Sequence, residues 1–462
     1  MERPRRTKMD NERAFAPYAM SARWHQGGLP VALACLAGGA ILRIWLALRS
    51  SLVEPWSDMR AFLELARIVG SEHGPLTADR PMLYPWLLAR AFAEGLSPGV
   101  PLYLTQGFFS LTVAALLARL SARWFGAPAG YATLALGCFS ITFAQYSALA
   151  LTETAFAAAY FGGVNLILAA PRLDLALGSR KARQVAAAAR IAGVLLLAVA
   201  AVLRPSGLAL AMGLLVGAAW APSRSLHRGK RIAIGAASLA FLVASYLGFV
   251  QLLERETGVH TGPFPTAGFN LYLGNSPGAR WDGGGATVVP PELTGEKDAI
   301  AAGELARRLA FEHIGAHPAE TLGRIAVRTL RLCGINPGRV EYDALTRYGL
   351  PAPIVVGWLA AEWIGVLLLS AVGVALAPRS IQRCLVLALA PYLAGLAISY
   401  VQTRYRIPVH LWLLPFAGAT LARWIGPEPF AFATLQRRAL LAATAIIVAG
   451  LSFDLATRFW LC

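Results

Sequence analysis

Residues 400–416 read YVQTRYRIPVHLWLLPF. Arg404, Tyr405 and Arg406 stand at the mouth of an apolar run that continues to residue 423. A helix needs roughly 20 such residues to cross the hydrocarbon core of a bilayer. The run is continuous rather than alternating, which favours a helix over a strand. Ten more apolar runs lie at 29–49, 99–120, 128–147, 150–170, 186–203, 205–221, 232–252, 353–376, 384–402 and 438–460. In lipid only helices and closed barrels satisfy the backbone. The expected fold is therefore an all-α polytopic membrane protein with about 11 transmembrane helices. Composition agrees. The 462 residues are 56% hydrophobic and 15% charged, with mean hydropathy +0.54, whereas a soluble chain carries about a quarter of its residues as charges.

The net charge of +17 does not point to nucleic acid, because much of it lies in short clusters between apolar runs, where it encodes topology. With Arg3, Arg5, Arg6 and Lys8 placed in the cytoplasm, the other short basic loops fall on the same side. They carry Arg119 and Arg123, Arg180 to Arg183, Arg224 to Arg231, Arg379 with Arg383, and Arg437 with Arg438. The basic tail, 1–28, has no small-residue cleavage site before the first run, so that run is expected to be retained. The five cysteines show neither a CxxC pair nor metal-ligand spacing, and no disulfide framework is indicated.

This topology divides the chain into an N-terminal membrane module of about seven spans (29–252), an outer segment (253–352) and a C-terminal module of about four spans (353–462). A second outer segment, 50–98, joins the first two spans. Arg404 and Arg406 then face outward, where the positive-inside rule gives no reason for them.

The outer segments hold the chemistry-bearing residues. Asp58 opens an amphipathic helical pattern, and taken alone it reads first as the natural N-cap of that helix, its charge at the favourable end of the dipole. The stretch from Arg80 through Tyr84 leads into a second short interfacial helix. Glu153 sits at the outer end of a nearly uncharged span, either at headgroup level or facing a cavity with a partner. Arg43 and Arg204 are also at outer helix ends, where snorkelling into headgroups is the ordinary alternative. Together with Arg404 and Arg406 they form a set suited to phosphate, which a guanidinium fork matches while staying charged in a partly dry site. His313 and His317 lie four apart but have no evident third ligand, so they read as a solvated helix face. Asn270, Asn275 and Trp281 lie in a Gly-rich outer stretch that either covers a site or is simply ordered loop. There is no GxxxxGK[ST] phosphate loop and no HExxH.

Several of these motifs resemble those of GT-C glycosyltransferases, nearest to bacterial relatives of protein mannosyltransferases and of the lipid A aminoarabinose transferase. The run Trp56-Ser57-Asp58 with Arg80-Pro81-Met82-Leu83-Tyr84-Pro85 is similar to their first outer loop. Leu151-Thr152-Glu153 resembles the acidic motif after their third span, and 268–275 (GFNLYLGN) the start of their large outer loop. Arg404-Tyr405-Arg406-Ile407-Pro408-Val409 resembles the start of a late span. The resemblance implies inverting transfer of a sugar from a polyprenyl-phosphate carrier to a lipid, glycan or protein acceptor, at the periplasmic face of a bacterial inner membrane. It implies Asp58 as general base, Glu153 as a second acid that in some members helps hold a divalent metal, and no other cofactor. The donor phosphate would meet Arg43, Arg204, Arg404 and Arg406, with Arg80, Tyr84, Tyr405, Asn270 and Asn275 shaping the pocket. Met59 follows Asp58 where many members carry a second acid, which leaves a single-base mechanism.

Two other classes use outward arginines. A transporter or flippase for lipid-linked sugars predicts ionisable residues at mid-membrane and paired halves, and the apolar runs are read as having neither. An O-antigen ligase or polymerase would rely on arginine and histidine, so Asp58 would matter little. An inactive scaffold is the remaining possibility.

Overall fold

The computed structural model describes residues 22–69, 76–93, 99–177, 180–220, 227–277, 279, 292–293, 298–334, 339–426 and 434–459. Most of the basic tail, Trp281 and Cys462 lie outside the described residues. The membrane part opens with α1 (Ala22–Ser50). The segment 50–98 holds α2 (Asp58–Val69), strand β1 (Leu76–Thr77) and α3 (Leu83–Ala93). Next come α4 (Val100–Phe125), α5 (Ala127–Phe139), α6 (Ile141–Ala144) and a 3-10 turn at Gln145–Ala148. They are followed by α7 (Glu153–Leu177), α8 (Arg180–Leu203), α9 (Gly207–Trp220) and α10 (Arg228–Thr257). The segment 253–352 contains β2 (Val259–His260), α11 (Ala267–Asn275), α12 (Ala299–Ala316), α13 (Pro318–Cys333) and α14 (Arg339–Arg347). The chain returns through α15 (Ala352–Leu376), α16 (Arg379–Ile398), a 3-10 turn at Thr403–Arg406, α17 (Ile407–Ile425) and α18 (Thr434–Phe459).

The expected runs all fall on helices. Among the described residues seven helices are long and apolar enough to cross a membrane, and the bent pair α5–α6 makes an eighth. A total of about eleven spans requires that α9, α17 and α18 also cross. Membrane helices gain nothing from the hydrophobic effect against each other, so they associate through close packing of small residues. A Cβ on Gly373 of α15 would overlap the Phe416 carbonyl of α17, and one on Gly213 of α9 the Leu387 carbonyl of α16.

The segments 50–98 and 253–352 are tied to each other. Leu76 and Thr77 pair in parallel with Val259 and His260, and the Thr77 hydroxyl accepts from the first amide of α12 at 2.9 Å. Helix α2 buries Met59, Phe62, Leu63 and Ala66 and exposes Arg60, Glu64 and Arg67, as an interfacial helix should. Phe62 meets Tyr84 of α3 edge-on at 5.4 Å, so the two short helices dock as one unit.

One span is broken. Between α5 and α6 the axis bends by 53° at Ser140, and each half-helix end needs a charge of opposite sign to its dipole. Arg43 of α1 supplies the cation. It donates to the Cys138 and Gly137 carbonyls at 2.7 and 3.3 Å, to the Gly39 carbonyl at 3.0 Å, and to the Ser110 hydroxyl at 2.9 and 3.0 Å. Glu362 of α15 supplies the anion, accepting from the Thr142 amide at 3.0 Å and the Ser140 hydroxyl at 2.5 Å. His410 of α17 lies 3.2 Å from the same carboxylate. Glu362 therefore corrects the expectation that the spans carry no ionisable group. It stands alone among apolar neighbours in the run 353–376, and that isolation was its signal.

Candidate functional site

The break directs the following 3-10 turn and the start of α7 to the same place as α2 and the Arg404 turn. Ser50 and Tyr348 both donate to the Ala148 carbonyl, at 2.5 and 3.1 Å, fixing the far side of that turn. Ser57 precedes α2 with φ of 52°, a left-handed conformation that serine rarely adopts. Asp58 follows it as the first residue of α2. Its carboxylate meets Arg404 Nη1 at 2.6 Å and Arg80 Nη2 at 3.1 Å.

A second pair stands beside the first. Glu153, the first residue of α7, meets Arg204 at 3.2 Å, just past the end of α8. The Tyr405 ring joins the two pairs, with the Arg204 guanidinium 5.0 Å and the Arg404 guanidinium 5.6 Å from its centre. Glu153 is only 3% exposed. A carboxylate so buried requires a charged partner, and Arg204 is that partner.

The electrostatics follow from these contacts. Burial works against the Asp58 carboxylate, but the charges of Arg404 and Arg80 outweigh it and hold its pKa below the ordinary value. Burial likewise opposes the Arg404 charge, and Tyr405, Asp58 and Glu153 reverse it, so Arg404 is held more firmly protonated than a free arginine. Despite these pairings, polar atoms in the cluster are left over. Arg80 Nε, Arg404 Nε and Glu153 Oε2 are buried with no hydrogen-bond partner.

The remaining candidates divide. Tyr84 is buried beside the cluster, where its hydroxyl accepts from Gln106 at 3.2 Å. Gln106 in turn holds the Leu149 carbonyl at 2.6 Å and accepts from Thr154 at 2.7 Å, which locks the start of α7. Arg406 leaves the cluster. It donates to the Gly334 carbonyl and lies over Trp363 at 5.5 Å, and Trp363 stacks on His410. Arg43 sits at the helix break with its donors engaged by backbone carbonyls and Ser110, so it is not brought to the anion site. Asn275 is fully buried and holds the Leu271 and Ile398 carbonyls at 2.9 and 2.8 Å. Arg328 donates to its side chain at 3.0 Å and to the Ala397 and Ile398 carbonyls. That brace steadies the segment leading to Arg404. Asn270, half-buried on α11, is not brought to the cluster by any contact among the described residues. His313 and His317 stack at 4.5 Å, His313 beside Glu320 on α13.

Sequence reasoning missed one residue close to the cluster. Glu341 of α14 is 4% exposed and accepts from the Tyr146 hydroxyl at 2.6 Å. Nothing in a charged outer segment (RVEYDALTR) marks it out.

The donor set does not fit a divalent cation. Asp58 and Glu153 each face arginine, and the described residues contain no group of three or more His, Cys, Asp or Glu able to hold a metal. The surplus of guanidinium calls for an anion instead.

No family model matches the chain, and no curated protein matches its sequence. Two solved structures are similar to it in outline, both of GT-C fold glycosyltransferases. One is the archaeal oligosaccharyltransferase AglB from Archaeoglobus fulgidus, in complex with an inhibitory peptide and a dolichol-phosphate. Identity there is 14% and the TM-score 0.45, over 92% of this chain and 55% of that one. The chain thus spans about half the length of that structure. The other is ArnT from Cupriavidus metallidurans bound to undecaprenyl phosphate, with 14% identity and a TM-score of 0.37 over 94% of this chain and 90% of that one.

Proposed function

We propose that the chain is an integral-membrane glycosyltransferase that moves a sugar from a polyprenyl-phosphate carrier to an acceptor hydroxyl, with inversion, at the outer face of a bacterial inner membrane. The observation that carries this reading is the joined pair of carboxylate–arginine contacts, Asp58 with Arg404 and Arg80, and Glu153 with Arg204, around Tyr405.

Inverting displacement at an anomeric carbon needs a base on the acceptor side and stabilisation of a departing phosphate opposite it. Arg404 and Arg204 are the phosphate-binding groups, held at the ends of membrane helices where a lipid phosphate would lie. Asp58 is the base. Without substrate it is a weak one, because two guanidinium groups hold its pKa down. A phosphate dianion competes with Asp58 for Arg404, since charge-assisted pairing with phosphate is at least as strong. As Arg404 turns to the phosphate, Asp58 loses a cation and its basicity rises, so donor binding prepares proton removal from the acceptor. Glu153 keeps Arg204 in place. No step requires a metal.

The test is transfer from a panel of undecaprenyl-phosphate sugars, followed as release of undecaprenyl phosphate by wild type and Asp58→Asn. A loss of about 10²- to 10⁴-fold in kcat, with donor binding and folding retained, is expected for removal of a general base. Equal release by both proteins would remove Asp58 from the mechanism and favour the ligase reading. The flippase reading gains one observation, the Glu362–His410 pair within the spans, and predicts lipid translocation without release. That pair already has a structural task at the helix break.

A further inference from the structure

Gln106, in the second turn of α4, joins three parts of the site. Its amide nitrogen donates to the Tyr84 hydroxyl of α3 at 3.2 Å and to the Leu149 carbonyl, just past the 3-10 turn, at 2.6 Å. Its amide oxygen accepts from Thr154, the residue after Glu153, at 2.7 Å. Gln106 and Thr154 are both buried, so the two amide hydrogens and the oxygen are engaged away from water. Nothing in the transfer mechanism uses this residue.

Tyr84 belongs to the docked pair α2–α3, which carries Asp58 at the start of α2 and Arg80 just before α3. The pair buries Met59, Phe62, Leu63, Leu88 and Ala89 in the main core. Apolar burial is non-directional, so it holds the pair down without fixing where along the surface Asp58 lies. Polar contacts do that. Asp58 meets Arg404, and Tyr84 meets Gln106, whereas Thr77 and Trp56 face α12 and Arg347 in the segment 253–352. The contact of Asp58 with Arg80 lies within the segment 50–98 and gives no hold on the membrane helices.

We infer that Gln106 is a positioning residue: through Tyr84 it holds the α2–α3 pair, and with it Asp58, against the head of α7 once a lipid phosphate has drawn Arg404 away. This deepens the transferase reading and rests on it. Before the donor binds, the Asp58–Arg404 ion pair and the Tyr84–Gln106 hydrogen bond share the task. When Arg404 turns to the phosphate the hydrogen bond remains, at the moment when the base has to stay within reach of the acceptor hydroxyl. A displacement of about 1 Å at that stage costs up to about 10²-fold in rate. Thr154 binds the same amide beside Glu153, so the two carboxylate–arginine pairs take their spacing from one side chain.

The experiment is hydrogen exchange, read by mass spectrometry on the full-length protein in nanodiscs with and without undecaprenyl phosphate. Tyr84→Phe keeps the ring against Phe62 and loses the hydroxyl that Gln106 holds. In wild type the amides of α2 and α3 should exchange alike in both states. In Tyr84→Phe they should match wild type without lipid, when Arg404 holds Asp58. With lipid they should exchange about 2- to 10-fold faster, the equilibrium worth of one hydrogen bond. Turnover of the sugar donor should fall over the same range, while undecaprenyl-phosphate affinity stays within about twofold of wild type. Gln106→Glu supplies the rescue. Its neutral carboxyl donates to the Leu149 carbonyl and accepts from Thr154 and from Tyr84, whose hydroxyl turns from acceptor to donor. That variant should show wild-type exchange in both states, and adding Tyr84→Phe should abolish the rescue. Faster exchange in Tyr84→Phe without lipid, or no change in either state, would overturn the inference, as would a loss of affinity in step with turnover. If wild type binds no undecaprenyl phosphate, the transferase reading itself fails and takes the inference with it.

Discussion

Arg43 and Arg404, both read from the sequence as lying at outer helix ends, have opposite surroundings in the structure. Arg43 is 2% exposed, and its donors are engaged by the Gly39, Gly137 and Cys138 carbonyls and by Ser110. Arg404 is half-buried, its side chain 13% exposed; it holds one carboxylate oxygen and a ring face, and its Nε has no partner. The first closes a helix end and has no capacity left for a ligand. The second is held in position with hydrogen-bonding capacity unused. Burial alone does not identify an anion site in a membrane protein. Unused capacity beside a displaceable counter-ion does.

Replacing Arg43 tests the structural half of this comparison and should have the largest effect. Arg43→Ala strands the carbonyls at the end of α5 in a site without water, and unmet buried acceptors cost about 1–3 kcal/mol each. A loss of about 3–5 kcal/mol is expected, typical of breaking a buried charged network. Lysine should not rescue it, because one ammonium cannot match the planar fork that reaches carbonyls on two helices and Ser110. Thermal unfolding in detergent checks both variants. Undecaprenyl-phosphate affinity per folded molecule should stay within about twofold of wild type, a shift of less than 0.5 kcal/mol. A stable Arg43→Ala protein that had lost lipid-phosphate binding would reverse the comparison.

Arg404→Ala is the functional counterpart. Lipid-phosphate affinity should fall by about 10- to 100-fold, the range for loss of a charge-assisted contact of about 1.5–3 kcal/mol. Stability should change less than in Arg43→Ala, since Asp58 keeps Arg80. The acid response sharpens the test. The folded pKa of Asp58 is depressed, so its contribution to stability is present above its unfolded pKa and is lost as pH falls through the folded value. Without Arg404 the folded pKa rises towards the unfolded one, and acid unfolding should begin at higher pH than in wild type. An unchanged acid limb would mean that Arg80 alone sets the charge of Asp58.

The sequence was most informative where physics acts locally. Apolar runs located the helices, and basic loops gave one consistent sidedness. Asp58, Glu153, Arg204 and Arg404 were picked out separately, from helix ends and from resemblance, and the structure brings these four together. Tertiary partners were not legible. Whether an arginine snorkels, caps a broken span or waits for an anion depends on carbonyls up to 95 residues away, as with Arg43 and Cys138. The same holds for Asn275, which sits in a motif suggestive of a substrate loop but braces the backbone at Ile398, 123 residues away. Glu341 gave no signal because charges are ordinary in an outer segment. Only its burial against Tyr146 sets it apart.

The smallest effect concerns the backbone that aims Asp58. Ser57 occupies the left-handed region at φ 52°, a conformation that costs a residue with a Cβ about 1 kcal/mol relative to glycine. Asp58, the next residue, contacts Arg404 and Arg80, so Ser57→Gly tests whether the Ser57 backbone sets that position. Glycine adopts the same φ without penalty in the folded state but gives the unfolded chain more freedom. The two effects oppose, so unfolding should shift by no more than about 1 kcal/mol in either direction. Catalysis should respond differently. Glycine also admits conformations closed to serine, and Asp58 then samples positions away from the arginines, so kcat should fall by a few-fold while lipid-phosphate affinity, set by Arg404 and Arg204, holds. Ser57→Asn, which tolerates the left-handed region better than most residues, should keep kcat near wild type. A parallel loss in both variants would assign the role to the serine hydroxyl and leave the backbone out of it.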